Sequence, residues 1–276
     1  MLWTRIATAA VGIPLALVLI WVGGWPLDLA VALVAALSFW EFFRLIAAPE
    51  RLDYEWALLL WIGLVAALVF TWGPGTDWWA GCILLSLLLL LFVAHPPFPL
   101  TRRGSAQRAV AGIGGLFYTV TTLGFVLRLR ALVPGTVRHT PVPLGAALLF
   151  LAIGACWVTD AAAYLVGRKI GRHKLAPKIS PGKTIEGGVA GLVGAVLFVG
   201  ALGWWVGLPV WSAALLGGTL GVVGQLGDLF ESWLKRRAGV KDSGALLPGH
   251  GGVLDRFDSL LFVAPVAYYW LRAVLG

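Results

Sequence analysis

A run of apolar side chains long enough to cross a bilayer leaves the backbone few options. Lipid offers no hydrogen-bond partners, so the run must close its own N–H and C=O groups as a helix or join a closed barrel. This chain of 276 residues holds nine such runs, at 6–22, 27–43, 56–72, 78–93, 109–127, 144–166, 187–207, 211–230 and 259–275. They are long and continuous, near the ~20 residues that span a ~30 Å hydrocarbon core, and lack the ~10-residue alternation of barrel strands. Only 12% of the residues are charged against 59% hydrophobic, and mean hydropathy is +0.89. A soluble domain carries about twice that charged fraction. The expected fold is an all-α integral membrane protein of about nine transmembrane helices.

The first run follows Arg5 like a signal peptide, but no convincing small-residue cleavage site precedes Trp25-Pro26, so it is read as the first span. Trp25, Trp78, Trp79, Trp204, Trp205, Tyr268, Tyr269 and Trp270 stand at run ends, as an interfacial aromatic belt would. Cys82 and Cys156 fall inside apolar runs and read as small core residues, not as a disulfide or a metal site.

Lysine and arginine set the orientation. With the N-terminus in the cytoplasm, seventeen of the twenty-one lie inside, and only Arg128, Arg130, Arg138 and Arg272 lie outside. The expectation is N-in, C-out, and a miscounted span would fall around 128–143. The net charge of +8 then concerns topology and anionic lipid headgroups. Without a soluble basic domain, nucleic acid is not an expected partner. In this frame Glu41, Asp160, Asp228 and Glu231 sit at the cytoplasmic ends of the second, sixth and eighth spans. An ionisable residue within a span is costly and marks a functional-site candidate. Four on one side, beside both long basic loops, argue for one cytoplasm-facing site. Residues 1–143 read as scaffold spans or a homodimer surface. Residues 144–276 read as the catalytic region, with cytoplasmic loops at 167–186 and 231–258.

Gly187, Gly191 and Gly194 mark the seventh span, and Gly217, Gly221, Gly224 and Gly227 the eighth. Small residues at this spacing let helices approach closely in lipid.

Two polar stretches carry the chemistry. GRKIGRHKLAPKISPGKTIE, residues 167–186, holds Arg168, Lys169, Arg172, Lys174, Lys178 and Lys183 with Ser180 and Thr184. Its tail looks like the end of a P-loop, but Pro177 stands where that motif needs glycine, and no strand is expected before it. Glycine, lysine and a hydroxyl at a helix start can still bind phosphate; a plain positive-inside loop has the same composition, and both readings stay open. The second stretch runs from Ser232 to Leu261, with Asp228 and Glu231 just before it. Asp228, Glu231 and Ser232 share a helical face, and Asp255 and Asp258 are three apart. Oxygen ligands from two segments suit Mg²⁺, and the glycines of 249–252 allow the second segment to fold back on the first. A local network of Asp–Arg pairs, such as Asp255 beside Arg256, would not call for two carboxylates in each segment, so metal is the favoured reading. His250, inside a Pro-Gly-His-Gly-Gly turn, could touch phosphate, act as acid or base, or hydrogen-bond within the turn.

Residues 232–258, with an S-x-L-K-R start, a K-D-x-G centre and a P-G-H-G-G-x-L-D-R-x-D end, resemble the signature of the phosphatidate cytidylyltransferases (CDP-diacylglycerol synthases). D-A-A-A-Y at 160–164, K-L-A-P-K-I-S-P-G-K-T-I-E at 174–186, G-D-L-F-E-S at 227–232 and Trp40-Glu41-Phe42 match as well. The resemblance implies a multi-pass enzyme of a bacterial inner membrane, acting in phospholipid biosynthesis. It would convert CTP and phosphatidate to CDP-diacylglycerol and pyrophosphate with Mg²⁺, alone or with a second cation. Carried onto this chain, it makes Asp228 and Asp255 metal ligands, with Glu231 and Asp258 as further ligands or their supports. Lys183, Lys235, Arg236, Lys241 and Arg256 would hold phosphates. Ser180, Thr184, Ser232 and His250 are candidate phosphate contacts, and Asp160 and Glu186 would orient the basic groups. A CTP-dependent lipid kinase is the alternative enzyme. A transporter of anionic solutes would instead show midplane charges, broken helices and repeat symmetry.

Overall fold

In the computed structural model the described residues are 2–47, 112–246 and 251–275, with side chains described from residue 10 onward and not at Ala47. The expected spans at 56–72 and 78–93 lie outside them, as do Cys82 and His250. Among the described residues the helices are α1 (Leu2–Val22), α2 (Gly24–Ala47), α3 (Gly112–Arg130), α4 (Leu144–Ile170), α5 (Ile185–Trp205), α6 (Val210–Arg237) and α7 (Leu254–Leu275). Six of them, α2 to α7, are long and apolar enough to cross a membrane, and α1 contributes a shorter apolar stretch, Ala10–Val22. The architecture is helical, as expected. One element departs from the expected loop at 167–186: β1 (Lys174–Ala176) and β2 (Ser180–Thr184) pair antiparallel as a short hairpin with a register irregularity. Pro177 falls in its turn, where a missing N–H costs no ladder bond.

The chain divides into two compact units, residues 1–127 with 237–256, and residues 128–236 with 257–276. In the first, Gly23 (φ +64°) makes the tight link between α1 and α2. The buried face of α2 carries Ala32, Ala35, Ala36, Phe39, Phe42 and Phe43. Gly115 of α3 seats against it, since a Cβ there would lie 2.9 Å from both Phe39 and Phe42 ring atoms. Residues 116–121 of α3 are π-helical, and the Thr119 and Thr122 hydroxyls donate back to the Gly115 and Tyr118 carbonyls.

The second unit shows why the glycines are spaced as they are. A Cβ on Gly187 would lie 2.6 Å from the Ala163 carbonyl oxygen, and one on Gly191 2.8 Å from that of Thr159. These positions join α5 to α4. On α6, Gly217 and Gly221 face Ala195 and Leu192 of α5, while Gly224 and Gly227 face α7 at Val263 and Asp258. Helix α6 is thus packed on two sides through glycine. Lipid is as apolar as a leucine side chain, so helices associate there through close packing, not through a hydrophobic drive. Cys156 is buried on α4 as a free thiol. Val189, Val193 and Leu197, four residues apart along α5, stay exposed, as a lipid-facing stripe would. Trp204 and Trp211 are exposed at the turn between α5 and α6.

Candidate active site

The hairpin sits where α4 ends and α5 begins, and its closing strand runs straight into the helix. Thr184, the last residue of β2, is the N-cap of α5: its side chain accepts from the Gly187 N–H at 3.1 Å. Thr184 is buried against Gly167 and Gly171 of the neighbouring α4 terminus. Glu186, in the first turn of α5, accepts from the His173 N–H and pairs with His173 Nδ1 at 2.7 Å. Arg236 near the end of α6 donates through Nε to the Ile179 carbonyl in the hairpin turn. Three elements therefore pin a segment that sequence reading treats as a loop.

A cavity of about 640 Å³ opens beside the hairpin, lined among others by Asp160, Tyr164, Arg168, Lys174, Ser180, Lys183, Thr184, Gln225 and Asp228. The Lys183 ammonium lies 2.5 Å from Asp228 Oδ2, with both side chains about a quarter exposed. The other Asp228 oxygen accepts from Ser232 Oγ at 3.3 Å, one turn further along α6. Asp258 lies within electrostatic range of Asp228, Asp160 and Lys235. The unit therefore gathers carboxylates and cations at one end of apolar helices. Such an end can hold phosphate groups against the cations and a divalent ion against the carboxylates.

Other sequence candidates in this unit have different surroundings. Glu231 is fully buried, and its Oε2 accepts from Lys235 Nζ at 2.5 Å, one turn on. The shared helical face of Asp228, Glu231 and Ser232 thus splits: Ser232 meets Asp228, whereas Glu231 meets Lys235. Glu186, assigned to orient basic groups, holds His173. In the first unit, Asp255 accepts from the Ser243 N–H at 3.0 Å and from the Gly252 N–H at 2.8 Å, while Lys241 and Arg256 are exposed. No group of three or more His, Cys, Asp or Glu side chains is placed to hold a metal among the described residues.

Gln225 was not singled out by sequence reasoning, which named Tyr164 only within D-A-A-A-Y and Arg168 and Lys174 only among the basic residues of the 167–186 stretch. Gln225 Nε2 donates to the Gly188 and Gly221 carbonyls at 3.2 and 3.0 Å, bridging α5 and α6 beside the cavity. The signal was present: a carboxamide in the middle of an apolar glycine-spaced run needs a partner.

Comparison with known proteins gives the family. The sequence model of the cytidylyltransferase family matches residues 3–274. A protein of Synechocystis sp. named phosphatidate cytidylyltransferase is 36% identical, over 98% of this chain and 97% of its own length. One of the same name from Brucella suis is 37% identical over 97% of this chain and 92% of its own. A third, from Bacillus subtilis, is 44% identical over 56% of this chain and 60% of its own. With a family match over almost every residue and relatives aligned end to end, the chain belongs to the cytidylyltransferase family.

Proposed function

We propose that the protein transfers CMP from CTP to phosphatidate, giving CDP-diacylglycerol and pyrophosphate, as a phosphatidate cytidylyltransferase of phospholipid biosynthesis. The observation that carries this reading is the cavity on whose wall Lys183 and Asp228 meet, lined also by Arg168, Lys174 and Asp160. Both substrates are anionic, and one of them is a membrane lipid. A cationic pocket built on apolar helices suits both, and relatives that align with nearly the whole chain bear the matching name.

A phosphate oxygen of phosphatidate attacks the α-phosphorus of CTP. One P–O bond forms, the bond to the β-phosphate oxygen breaks, and pyrophosphate carries away the electron pair. The nucleophile is already ionised near neutral pH, so no protein base is required. The chain's task is positioning and charge neutralisation. Lys183 approaches the phosphates from the hairpin, and Arg168 and Lys174 add positive charge to the cavity wall. Ser180 and Thr184 offer hydroxyls beside them, the latter while capping α5. Asp228 and Asp258 supply hard oxygen donors of the kind Mg²⁺ takes together with substrate phosphates. When bound, Mg²⁺ would neutralise charge developing on the transferred and leaving phosphates. From their places in the signature, Asp255 is assigned to the metal beside Asp228, with Glu231 as a further ligand or its support; Lys235, Arg236, Lys241 and Arg256 are assigned to the phosphates, and Ser232 and His250 to further phosphate contacts.

We further place the N-terminus in the cytoplasm, with nine spans, the site on the cytoplasmic face of a bacterial inner membrane, and residues 1–143 as scaffold or dimer surface. The excess of lysine and arginine in the loops assigned to the inside supports this orientation.

The test uses purified protein, phosphatidate, CTP labelled in the α- or γ-phosphate, and Mg²⁺ with or without chelator. The expected result is metal-dependent CDP-diacylglycerol carrying the α-label, with one pyrophosphate per turnover. Lipid labelled only from the γ-phosphate would replace this reading with a kinase.

A further inference from the structure

Glu41 is the one acidic residue of α2 apart from Asp28 near its start, and no part of the reaction above uses it. It is 1% exposed. A carboxylate so deeply buried must be satisfied on both oxygens, and among the described residues its partners come from a segment some two hundred residues away. Oε1 accepts from the Val253 N–H at 3.0 Å. Oε2 accepts from the Leu254 N–H and from Ser243 Oγ, each at 2.8 Å. Val253 and Leu254 stand at the start of α7, where the first amides of a helix have no partner within it. Negative charge at that end also meets the favourable pole of the helix dipole. Glu41 therefore acts as an N-cap supplied by another helix.

The surrounding chain is shaped to admit it. A Cβ at Gly244 or at Gly252 would collide with the Glu41 carboxylate, so both glycines are required for close approach. Gly251, at φ +82°, turns the backbone into the helix. Asp255 holds the same segment from the other side: Ser243 gives its N–H to Asp255 and its hydroxyl to Glu41. Two carboxylates thus grip one residue, and between them they tie Ser243 to the start of α7, close in sequence to Lys241, Asp242 and Arg256.

We infer that Glu41 is a positioning residue for the reaction, clamping Ser243 and the start of α7 so that Asp255 and Arg256 are presented in a single geometry. The inference rests on the proposed cytidylyl transfer for its functional half. Its structural half, the hold on Ser243, Val253 and Leu254, stands apart from that reaction.

The experiment compares wild type with Glu41→Gln, which keeps the size but turns an NH₂ toward amide N–H groups, and with Ser243→Ala, which removes one of the three bonds. Each is purified in lipid nanodiscs. Amide exchange is followed by peptide, and kcat and both KM values are measured per monodisperse, thermally intact molecule. In Glu41→Gln, exchange across 241–256 is expected to quicken about tenfold or more while other helices keep wild-type protection. Its kcat should fall about tenfold or more, with the KM for CTP and for phosphatidate within about threefold. Ser243→Ala should move both readouts the same way by less, and the double variant should lose no more than Glu41→Gln alone, because the two share one bond. Wild-type exchange in Glu41→Gln would overturn the clamp. Faster local exchange with wild-type kcat would overturn its role in the reaction, as would losses that multiply in the double variant or exchange that rises throughout the protein. A wild-type protein that makes no CDP-diacylglycerol would overturn the proposed function instead, with the exchange comparison still deciding whether Glu41 holds the segment.

Discussion

The Lys183 ammonium and the Asp228 carboxylate meet at 2.5 Å, although one rides on the short hairpin and the other on the long helix α6. Both are about a quarter exposed, so solvent screens the pair and its contribution to stability is small. Its place on the cavity wall gives it consequence for chemistry. Lys183→Met and Asp228→Asn are each expected to lower kcat by roughly 10²–10³-fold, the loss typical of removing one preorganised electrostatic contact. The thermal midpoint should stay close to wild type. Conversion of labelled CTP to CDP-diacylglycerol, beside a melting curve for each variant, checks both halves.

Glu231 and Lys235 make the opposite case. This pair is buried, with the carboxylate wholly removed from solvent. Breaking the buried pair by removing one partner is expected to cost about 3–5 kcal/mol, whereas replacing both with apolar residues of similar size is often close to neutral. Glu231→Leu should therefore melt well below the double variant Glu231→Leu/Lys235→Met. A single variant as stable as the double would contradict a structural role for the pair.

The glycine seams predict a contrast along one helix. A methyl group at Gly191 would press on the Thr159 carbonyl, while one at Gly200 meets nothing within 4 Å. Gly191→Ala is expected to destabilise by about 1–3 kcal/mol, as overpacking does. Gly200→Ala should be neutral or stabilising by up to about 1 kcal/mol, the helix-propensity difference. Thermal unfolding in detergent of fixed composition would rank the two.

Thr184 tests capping against substrate contact. Thr184→Val removes the acceptor for the Gly187 N–H while keeping the shape, and is expected to cost about 1 kcal/mol of stability. Thr184→Ser should keep the cap and lose only the methyl packing on Gly171. If the hydroxyl also touches phosphate, the KM for CTP should rise in the valine variant and not in the serine one.

Much of the architecture could be read from the chain because it follows from short-range rules. Seven of the nine apolar runs correspond to described helices. The glycine spacing on α5 and α6 announced close packing, and the structure shows what the glycines meet: a carbonyl at Gly187, Gly191, Gly217 and Gly227, and a neighbouring helix's side chains at Gly221 and Gly224. The hairpin at 174–184 was missed because Lys174, Ala176 and Ser180 show no alternation that would mark a strand. Its strands persist because Thr184 ties β2 to the start of α5 while Glu186 and Arg236 anchor the hairpin from outside.

What the sequence by itself determined is the helical membrane architecture, the glycine-lined seams and the signature stretches, since each rests on periodicity or spacing along the chain. Which side chains meet was decided only by the tertiary structure. Nothing at Glu41 says that its partners are Ser243, Val253 and Leu254. Nothing in D-L-F-E-S says that Asp228 takes the lysine of the hairpin while Glu231 takes the lysine one turn on. A buried charge takes whatever donor the packed helices bring within hydrogen-bond reach, and that donor can lie anywhere along the chain.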